Sequence, residues 1–200
     1  MRREFHVRFC EGPGVRSPRA TRSVVLLSSR RDAERFLAVL PRRLGKFGLT
    51  LHPDKTRLVP FRRPDRVDRN DGGNPGTFNL LGFTHYWSLS RQGKWVVKRK
   101  TAKDRFSRAL HRFREWCRWH RHDPVETQHR TIVKKLKGHY AYYGITSNAS
   151  ALERFLYEAT RAWHKALARR SQRGLSWERM VRLLRRFPLP APRVVHSYVT

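Results

Sequence analysis

The chain has 200 residues, and its 45 lysines and arginines outnumber 15 acidic residues, which gives a formal net charge of +30 at pH 7. This length allows one medium domain or two small ones. The positive charge favours an anionic partner, and nucleic acid is the first candidate because lysine and arginine neutralise phosphates and release counterions. A membrane surface is the competing partner, but the sequence has no long apolar run, no signal-peptide pattern and no lipidation motif, so we expect no membrane association.

The first third of the chain predicts a small mixed α and β region. Residues 1–23 are rich in arginine and interrupted by glycine and proline, so we expect them to be poorly ordered. VVLLSS (24–29) predicts a short strand, and the pair Ser29 and Asp32 resembles a capping box that opens a helix. LTLHPDKTRLVPF (49–61) predicts two short extended pieces around a His-Pro-Asp turn.

The middle of the chain predicts a boundary followed by a β-hairpin. Residues 62–77 have loop composition throughout and are the best internal boundary in the sequence. FNLLGFTHYWSL (78–89) and KWVVKRK (94–100) then predict two strands joined around Arg91-Gln92-Gly93.

From residue 101 onward the apolar residues recur at helical spacing and predict three long helices and a short one. Their stripes are Phe106, Ala109, Leu110, Phe113, Trp116 and Cys117, then Ile132, Val133, Leu136, Tyr140 and Tyr143, and then Leu152, Phe155, Leu156, Ala159, Trp163 and Leu167. A second capping-box candidate, Ser150 with Glu153, opens the third stripe, and the short helix lies around Trp177 to Arg186. The predicted fold class is therefore α+β, with a small N-terminal part and hairpin before a mainly helical module.

The densest positive charge lies in residues 98–122, which hold ten lysines or arginines and two acids. Arg105, Arg108 and Arg112 are three and four residues apart and share one helical face, where like charges repel. A solvated basic face is one interpretation, whereas a face that follows phosphates explains why the repulsion is tolerated. The predicted phosphate contacts in this stretch are Lys98, Arg99, Lys100, Lys103, Arg105, Arg108 and Arg112.

KKLKGHYAYYGITSN (134–148) combines aromatic surface with positive charge. Tyr140 and Tyr143 belong to the second apolar stripe, and we expect them in the core. Tyr142 lies off that stripe, so it is either a plain surface tyrosine or a residue that stacks on an RNA base. The basic residues predicted to contact RNA beside it are Lys134, Lys135 and Lys137.

The residue types needed for metal binding or catalysis do not form a recognisable pattern. His120 and His122 adjoin Asp123, but no second pair lies at a suitable spacing, so we predict no metal site. There is no Ser-His-Asp arrangement or phosphate-binding loop, and we predict no catalytic residues and no cofactor. Cys10 and Cys117 form neither a disulfide framework nor a zinc finger, which favours a reducing, cytoplasmic setting.

Five motifs occur in an order that resembles a known family. They are LGKFGLTLHPDKTRLV, FNLLGFTHYW, GKWVVKRKT, KLKGHYAYYGITSN and the W-x3-L-x-RRSQ pattern of residues 163–172. Together they resemble the C-terminal part of a bacterial group II intron-encoded reverse transcriptase, or maturase, over roughly residues 24–198.

The resemblance implies a role for each region. It makes Phe78 to Phe83 similar to the primer-grip hairpin and residues 100–122 similar to the start of the thumb. It makes residues 130–196 similar to the maturase-specific domain, which binds intron RNA and promotes splicing, and it adds Arg169 and Arg170 to the predicted RNA contacts. The implied division is a poorly ordered basic segment at 1–23, a palm remnant at 24–61, a linker at 62–77, the hairpin at 78–100, and the helical thumb and maturase module at 101–200.

The sequence departs from the family where the polymerase chemistry would lie. Such polymerases hold two metal ions with aspartates, two of them adjacent in a Tyr-Ala-Asp-Asp motif just before the strand matched by 24–28. This sequence has no adjacent acid pair, and RATRS precedes Val24. An alternative alignment of VRFCEG (7–12) places Glu11 and Gly12 at the two acids and still loses one ligand. We therefore expect no polymerase activity from this chain alone, and a frameshifted or truncated gene would explain its N-terminal composition.

The resulting hypothesis is that the chain binds structured group II intron RNA and assists splicing, while the RNA performs the chemistry. DNA is the alternative nucleic acid. One competing hypothesis is that the chain supplies thumb and maturase functions to an RNA-directed DNA polymerase completed by a partner in trans. Another is a non-functional remnant that binds any polyanion.

Overall fold

The computed structural model describes residues 5–9, 23–52, 56–64 and 76–197. The chain forms two compact units, Met1–Lys98 and Arg99–Thr200. The described residues of the first unit form strands and one helix, and the second unit is mainly helical, so the predicted α+β class is confirmed. The division between the units lies two residues before the boundary predicted between residues 100 and 101. Most of the linker predicted at 62–77 lies outside the described residues.

The first sheet consists of three antiparallel strands in the order β2-β1-β3. The central strand is β1 (Phe5–Phe9), flanked by β2 (Ser23–Leu27) and β3 (Arg57–Pro60). Phe5 of β1 is opposite both Leu27 and Pro60. The strand predicted from VVLLSS is therefore confirmed as β2.

The strand β1 corrects the prediction that residues 1–23 lack regular structure. FHVRF alternates apolar and polar residues, which is a strand pattern, but the arginines, glycines and prolines around it dominate the composition. Its hydrogen-bonding partners come from Ser23–Leu27 and Arg57–Pro60, which are distant in sequence. Apart from Phe5–Phe9 and Ser23, this predicted segment lies outside the described residues.

The helix α1 (Arg30–Gly45) follows β2 as predicted, with Pro41 inside it. Ser29 occupies the N-cap position in extended conformation, but its side chain makes no capping hydrogen bond. The capping box predicted from Ser29 and Asp32 is therefore not formed. The apolar residues of α1 recur on one side of the helix, and Ala33 on that side is completely buried.

The second sheet has the order β4-β5-β6 and contains β4 (Phe78–Leu80), β5 (Phe83–Leu89) and β6 (Trp95–Thr101). The single strand predicted at 78–89 is wrong, since the chain reverses at Leu81 and Gly82, whose φ angles are 49° and 83°. Two residues with positive φ form the tight turn that suits a hairpin, and glycine adopts this conformation without strain. The predicted turn before β6 is confirmed by the bond from Ser90 N to Lys94 O at 2.7 Å.

The second unit packs four helices, α2 (Lys103–Trp119), α3 (Val125–Tyr143), α4 (Ala149–Ala168) and α5 (Trp177–Arg186). The three predicted apolar stripes meet in one core, which confirms them. Its buried members are Leu110, Phe113, Cys117, Ile132, Leu136, Tyr140, Leu152, Phe155, Ala159, Trp163, Ala166, Leu167 and Met180.

The start of α4 differs from the capping box predicted at Ser150 and Glu153. The N-cap residue is the buried Asn148, two residues before Ser150, and the helix begins at Ala149. The amide of Asn148 donates to Thr101 Oγ1 at 2.9 Å and accepts from Thr101 N at 2.8 Å. A partner 47 residues away therefore positions this helix, and the local sequence does not reveal it.

The C-terminal segment lies against the end of α3. The N–H groups of Val195 and His196 both donate to Gly144 O, at 2.6 and 2.9 Å. A Cβ atom at residue 144 would lie 2.3 Å from Tyr140 O and 2.5 Å from Arg193 O. Only glycine therefore allows this close approach of two backbone segments.

Candidate nucleic-acid interface

The predicted basic face of α2 carries its own counter-charge. Arg108 Nη2 lies 2.5 Å from Asp104 Oδ2, and Arg105 Nε lies 3.8 Å from the same oxygen. Partial burial by itself would raise the pKa of Asp104, but the hydrogen bond and charge of Arg108, together with Arg105, hold that pKa below its usual value. Lys103 and Arg112 are exposed on the same helix. The face is therefore basic but partly neutralised at its first turn.

The three RNA contacts predicted on β6, which are Lys98, Arg99 and Lys100, have different surroundings in the structure. Lys98 Nζ donates to Leu89 O at 2.7 Å and thus contacts the backbone of the neighbouring strand. Arg99 is half-buried, and its burial lowers the pKa of the guanidinium, whereas Lys100 is exposed.

The α3 stretch presents its lysines to solvent. Lys134, Lys135 and Lys137 are all exposed, and Lys135 Nζ lies 5.3 Å from the centre of the Trp116 ring. Tyr140 is in the core as predicted. Tyr142 is about half exposed and packs edge-on against Tyr143, with ring centres 4.8 Å apart. This part of α3 therefore presents both exposed lysines and a half-exposed tyrosine ring to solvent.

Arg169 and Arg170 are neighbours with different surroundings. Arg169 is exposed. Arg170 is half-buried, and its guanidinium donates to the backbone carbonyls of Arg121 and Asp123 in the turn between α2 and α3. The side chain of Arg170 therefore holds two parts of the fold together, while Arg169 faces outward.

The second unit also contains a groove between α2 and α4, with a cavity volume of about 680 Å³. The two helices pack together through Phe106 and Phe113, both edge-on to Phe155. Basic residues recur every three or four positions along α2 and its following turn, and every four along α4, so each set lies on one side of its helix. The six basic residues that line the groove are Arg114, Arg118, Arg121, Arg161, Lys165 and Arg169.

One carboxylate faces these six cations in the groove. Glu158 accepts from Arg114 Nη2 at 2.7 Å and lies 3.8 Å from Arg161 Nη1. Within the described residues, no carboxylate pairs with Arg118, Lys165 or Arg169. Like charges that line one cavity repel one another, and such a cavity attracts anions.

An aromatic pair stands at the edge of the groove. The Trp177 ring stacks on the His164 ring with centres 4.3 Å apart, and His164 Nε2 donates to Leu175 O at 2.7 Å. Both rings line the cavity. The groove therefore combines charges suited to phosphates with a flat surface suited to a base.

Among the residues that line this groove, the sequence analysis predicted only Arg169 as an RNA contact. The signal was present as spacing, because Arg114, Arg118 and Arg121 follow one helical side, as do Arg161 and Lys165. The two sets are distant in sequence, however, and only the packing of α2 on α4 brings them to one cavity.

The described residues provide neither a metal centre nor a reactive thiol. No group of three or more His, Cys, Asp or Glu side chains in this part of the chain could hold a metal ion. Burial raises the pKa of the Cys117 thiol to about 12, although Lys135 acts in the opposite direction, so this core residue stays protonated. No helix among the described residues has the length and apolar character needed to cross a membrane.

Comparison of the chain with protein-family models, with curated proteins and with solved structures gave no match.

Proposed function

We propose that the chain binds structured RNA as the maturase portion of a group II intron reverse transcriptase, and that it assists splicing of that intron. The order of motifs in the sequence suggests the family. The observation that carries the proposal is the groove between α2 and α4, which is lined by six cations and by one carboxylate, that of Glu158.

The physical basis is the neutralisation of closely spaced phosphates. Arginine forks bind phosphate oxygens through two parallel hydrogen bonds, and binding releases counterions from the RNA. A folded ribozyme brings many phosphates together, so a basic groove stabilises the compact RNA relative to the open one. The RNA then performs the splicing chemistry, and the protein supplies only binding energy.

The other exposed basic residues of the second unit extend this binding surface. Lys103 and Arg112 on α2 and the three lysines of α3 add exposed charge. A cytoplasmic setting belongs to the same proposal and is supported by Cys117, a buried free thiol.

The test is binding of the purified chain to a folded group II intron RNA at near-physiological salt. The competitors are an unrelated RNA duplex and a DNA duplex of equal length. We expect the intron RNA to bind most tightly and the DNA duplex least, because the protein would read the shape of folded RNA. Equal affinity for all three would contradict the maturase proposal and leave only unspecific attraction of polyanions by the net charge of +30.

A double variant links the result to the groove. Arg118→Gln with Lys165→Gln removes two charges that have no carboxylate partner among the described residues, and we expect it to weaken intron RNA binding about tenfold or more. The matched control is Arg31→Gln with Arg35→Gln, which removes the same charge from the exposed side of α1. If both pairs lower the affinity equally, the groove is not the binding surface.

A further inference from the structure

Trp177 is exposed to an unusual degree for so large an apolar side chain. It remains 48% exposed at the first position of α5, after the N-cap residue Ser176, whose hydroxyl accepts from Arg179 N at 3.4 Å. One face of its ring stacks on His164, which is itself held by Leu175 O. The ring is therefore positioned by its neighbours and still presents a large area to solvent.

The surroundings of Trp177 determine what could cover that area. The ring lines the same cavity as Lys165 and Arg169, and the small side chains of Ala162 and Ala166 also line it. An apolar protein segment would not suit a cavity with so many cations. A ligand that is flat and aromatic at one end and anionic at the other satisfies both parts of this surface.

We propose that the groove between α2 and α4 binds an unpaired nucleotide of single-stranded RNA, whose base stacks on Trp177 while the flanking phosphates contact Arg118, Lys165 and Arg169. The inference rests on the RNA-binding role proposed above and specifies which form of RNA occupies this groove. The base must be unpaired, because bases inside a duplex are already stacked on one another and do not present a face.

The test compares Trp177→Ala and Trp177→Phe with the unchanged chain in binding to an unstructured oligouridine and to a fully paired RNA duplex of the same length. We expect Trp177→Ala to weaken oligouridine binding about 5- to 100-fold and to leave duplex binding unchanged, because stacking on one aromatic ring contributes this much per base. Trp177→Phe should keep most of the affinity, since phenylalanine retains a ring face. The control is Phe47→Ala, which removes a 79% exposed aromatic side chain that does not line the groove.

Crosslinking gives a second result that does not depend on a variant. The unchanged chain, irradiated with an oligomer that carries 4-thiouridine, should form its main crosslink at Trp177 or His164, located by mass spectrometry of the digested protein. Main crosslinks elsewhere would overturn the proposal. So would an equal loss of oligouridine and duplex binding in Trp177→Ala, or a similar loss in Phe47→Ala.

The two proposals fail in different ways. If Trp177→Ala binds oligouridine as the unchanged chain does, while the unchanged chain still prefers intron RNA, the stacking proposal alone is wrong. If the unchanged chain binds intron RNA and the two competing duplexes equally, while Trp177→Ala still loses oligouridine binding, the maturase proposal is wrong and the single-strand groove remains.

Discussion

Trp163 donates its indole N–H to Gln128 Oε1 at 2.9 Å, and the two side chains are 0% and 1% exposed. The amide nitrogen of Gln128 donates in turn to Asp123 O at 2.9 Å and to Arg121 O at 3.2 Å. A buried polar group needs a partner, and here one glutamine connects the core tryptophan of α4 to the turn between α2 and α3. The pair therefore positions one end of the groove, since Arg121 lines it.

We expect Gln128→Leu to lower the free energy of unfolding by about 1–3 kcal/mol, because it leaves the buried indole N–H without a partner. Urea unfolding followed by tryptophan fluorescence measures the change. Thr127→Ala, at the exposed preceding position, is the control and should change the free energy by less than about 0.5 kcal/mol. A leucine variant as stable as the unchanged chain would show that the hydrogen bond is not needed.

Arg169 and Arg170 should respond to the same substitution in opposite ways. Arg169→Gln removes a groove cation, so we expect weaker RNA binding, a salt dependence reduced by about one phosphate contact, and an unchanged melting temperature. Arg170→Gln removes donors to two backbone carbonyls of a turn, so we expect a lower melting temperature.

The two measurements are thermal denaturation and RNA binding at several salt concentrations. Each variant controls for the other, because both lose one positive charge at adjacent positions. If both variants lose RNA affinity to the same extent and neither loses stability, the assignment of separate roles is wrong.

His139 should make the second unit less stable in acid. Its ring stacks on Phe155 with centres 3.8 Å apart, and burial lowers its pKa from 6.5 to about 4. Between these pH values the unfolded chain binds a proton that the folded chain excludes. The contribution of the neutral His139 ring to the free energy of unfolding is therefore fully present above pH 6.5 and is lost as the pH falls towards 4.

The measurement is the free energy of unfolding at several pH values from 7 to 4 for the unchanged chain and for His139→Phe. We expect the unchanged chain to lose up to about 3 kcal/mol more than the variant, reduced to the extent that solvent reaches the ring. Ser107→Ala, at an exposed position on α2, should follow the unchanged chain. Parallel curves for all three proteins would contradict the role of His139.

Gly144→Ala should loosen the C-terminal segment from α3. The added Cβ would lie 2.5 Å from Arg193 O, and the backbone cannot accommodate this contact without shifting. We expect a melting temperature lower by roughly 4–8 °C or more, which corresponds to a loss of about 1 kcal/mol or more in a unit of this size. Faster proteolysis within residues 188–197 should accompany the change.

Gly138→Ala is the control for that experiment, because a Cβ there meets nothing within 4 Å and alanine favours a helix interior. It should leave the protein as stable as before or slightly more stable. A Gly144→Ala protein with unchanged melting and unchanged proteolysis would show that the segment does not depend on this close approach.

The sequence by itself determined the elements whose signal is local and periodic. The apolar stripes that include Leu110, Leu136 and Phe155 could be predicted, because a helix places residues three and four apart on one side. The turn before β6 could also be predicted from local sequence, because Gly93 adopts a positive φ of 74°, which is unfavourable for other residues. The excess of basic residues, and with it the expectation of an anionic partner, required only counting.

Other features depended on partners that are distant along the chain, and only the tertiary structure decided them. The strand Phe5–Phe9 is completed by two segments on either side, and Asn148 begins α4 in contact with Thr101 rather than in a local capping box. In the sequence, Arg170 resembles the other basic residues, and only the structure shows that its guanidinium donates to the turn between α2 and α3.

The groove follows the same principle. Helical spacing places Arg118 on one side of α2 and Lys165 on one side of α4, but spacing within a helix says nothing about which side of another helix it will face. That choice is made by the core, where Phe155 packs against Phe106 and Phe113 and joins the two helices. The sequence therefore determined that the charge exists, and the packing of the core decided that six of these cations line one cavity beside Trp177.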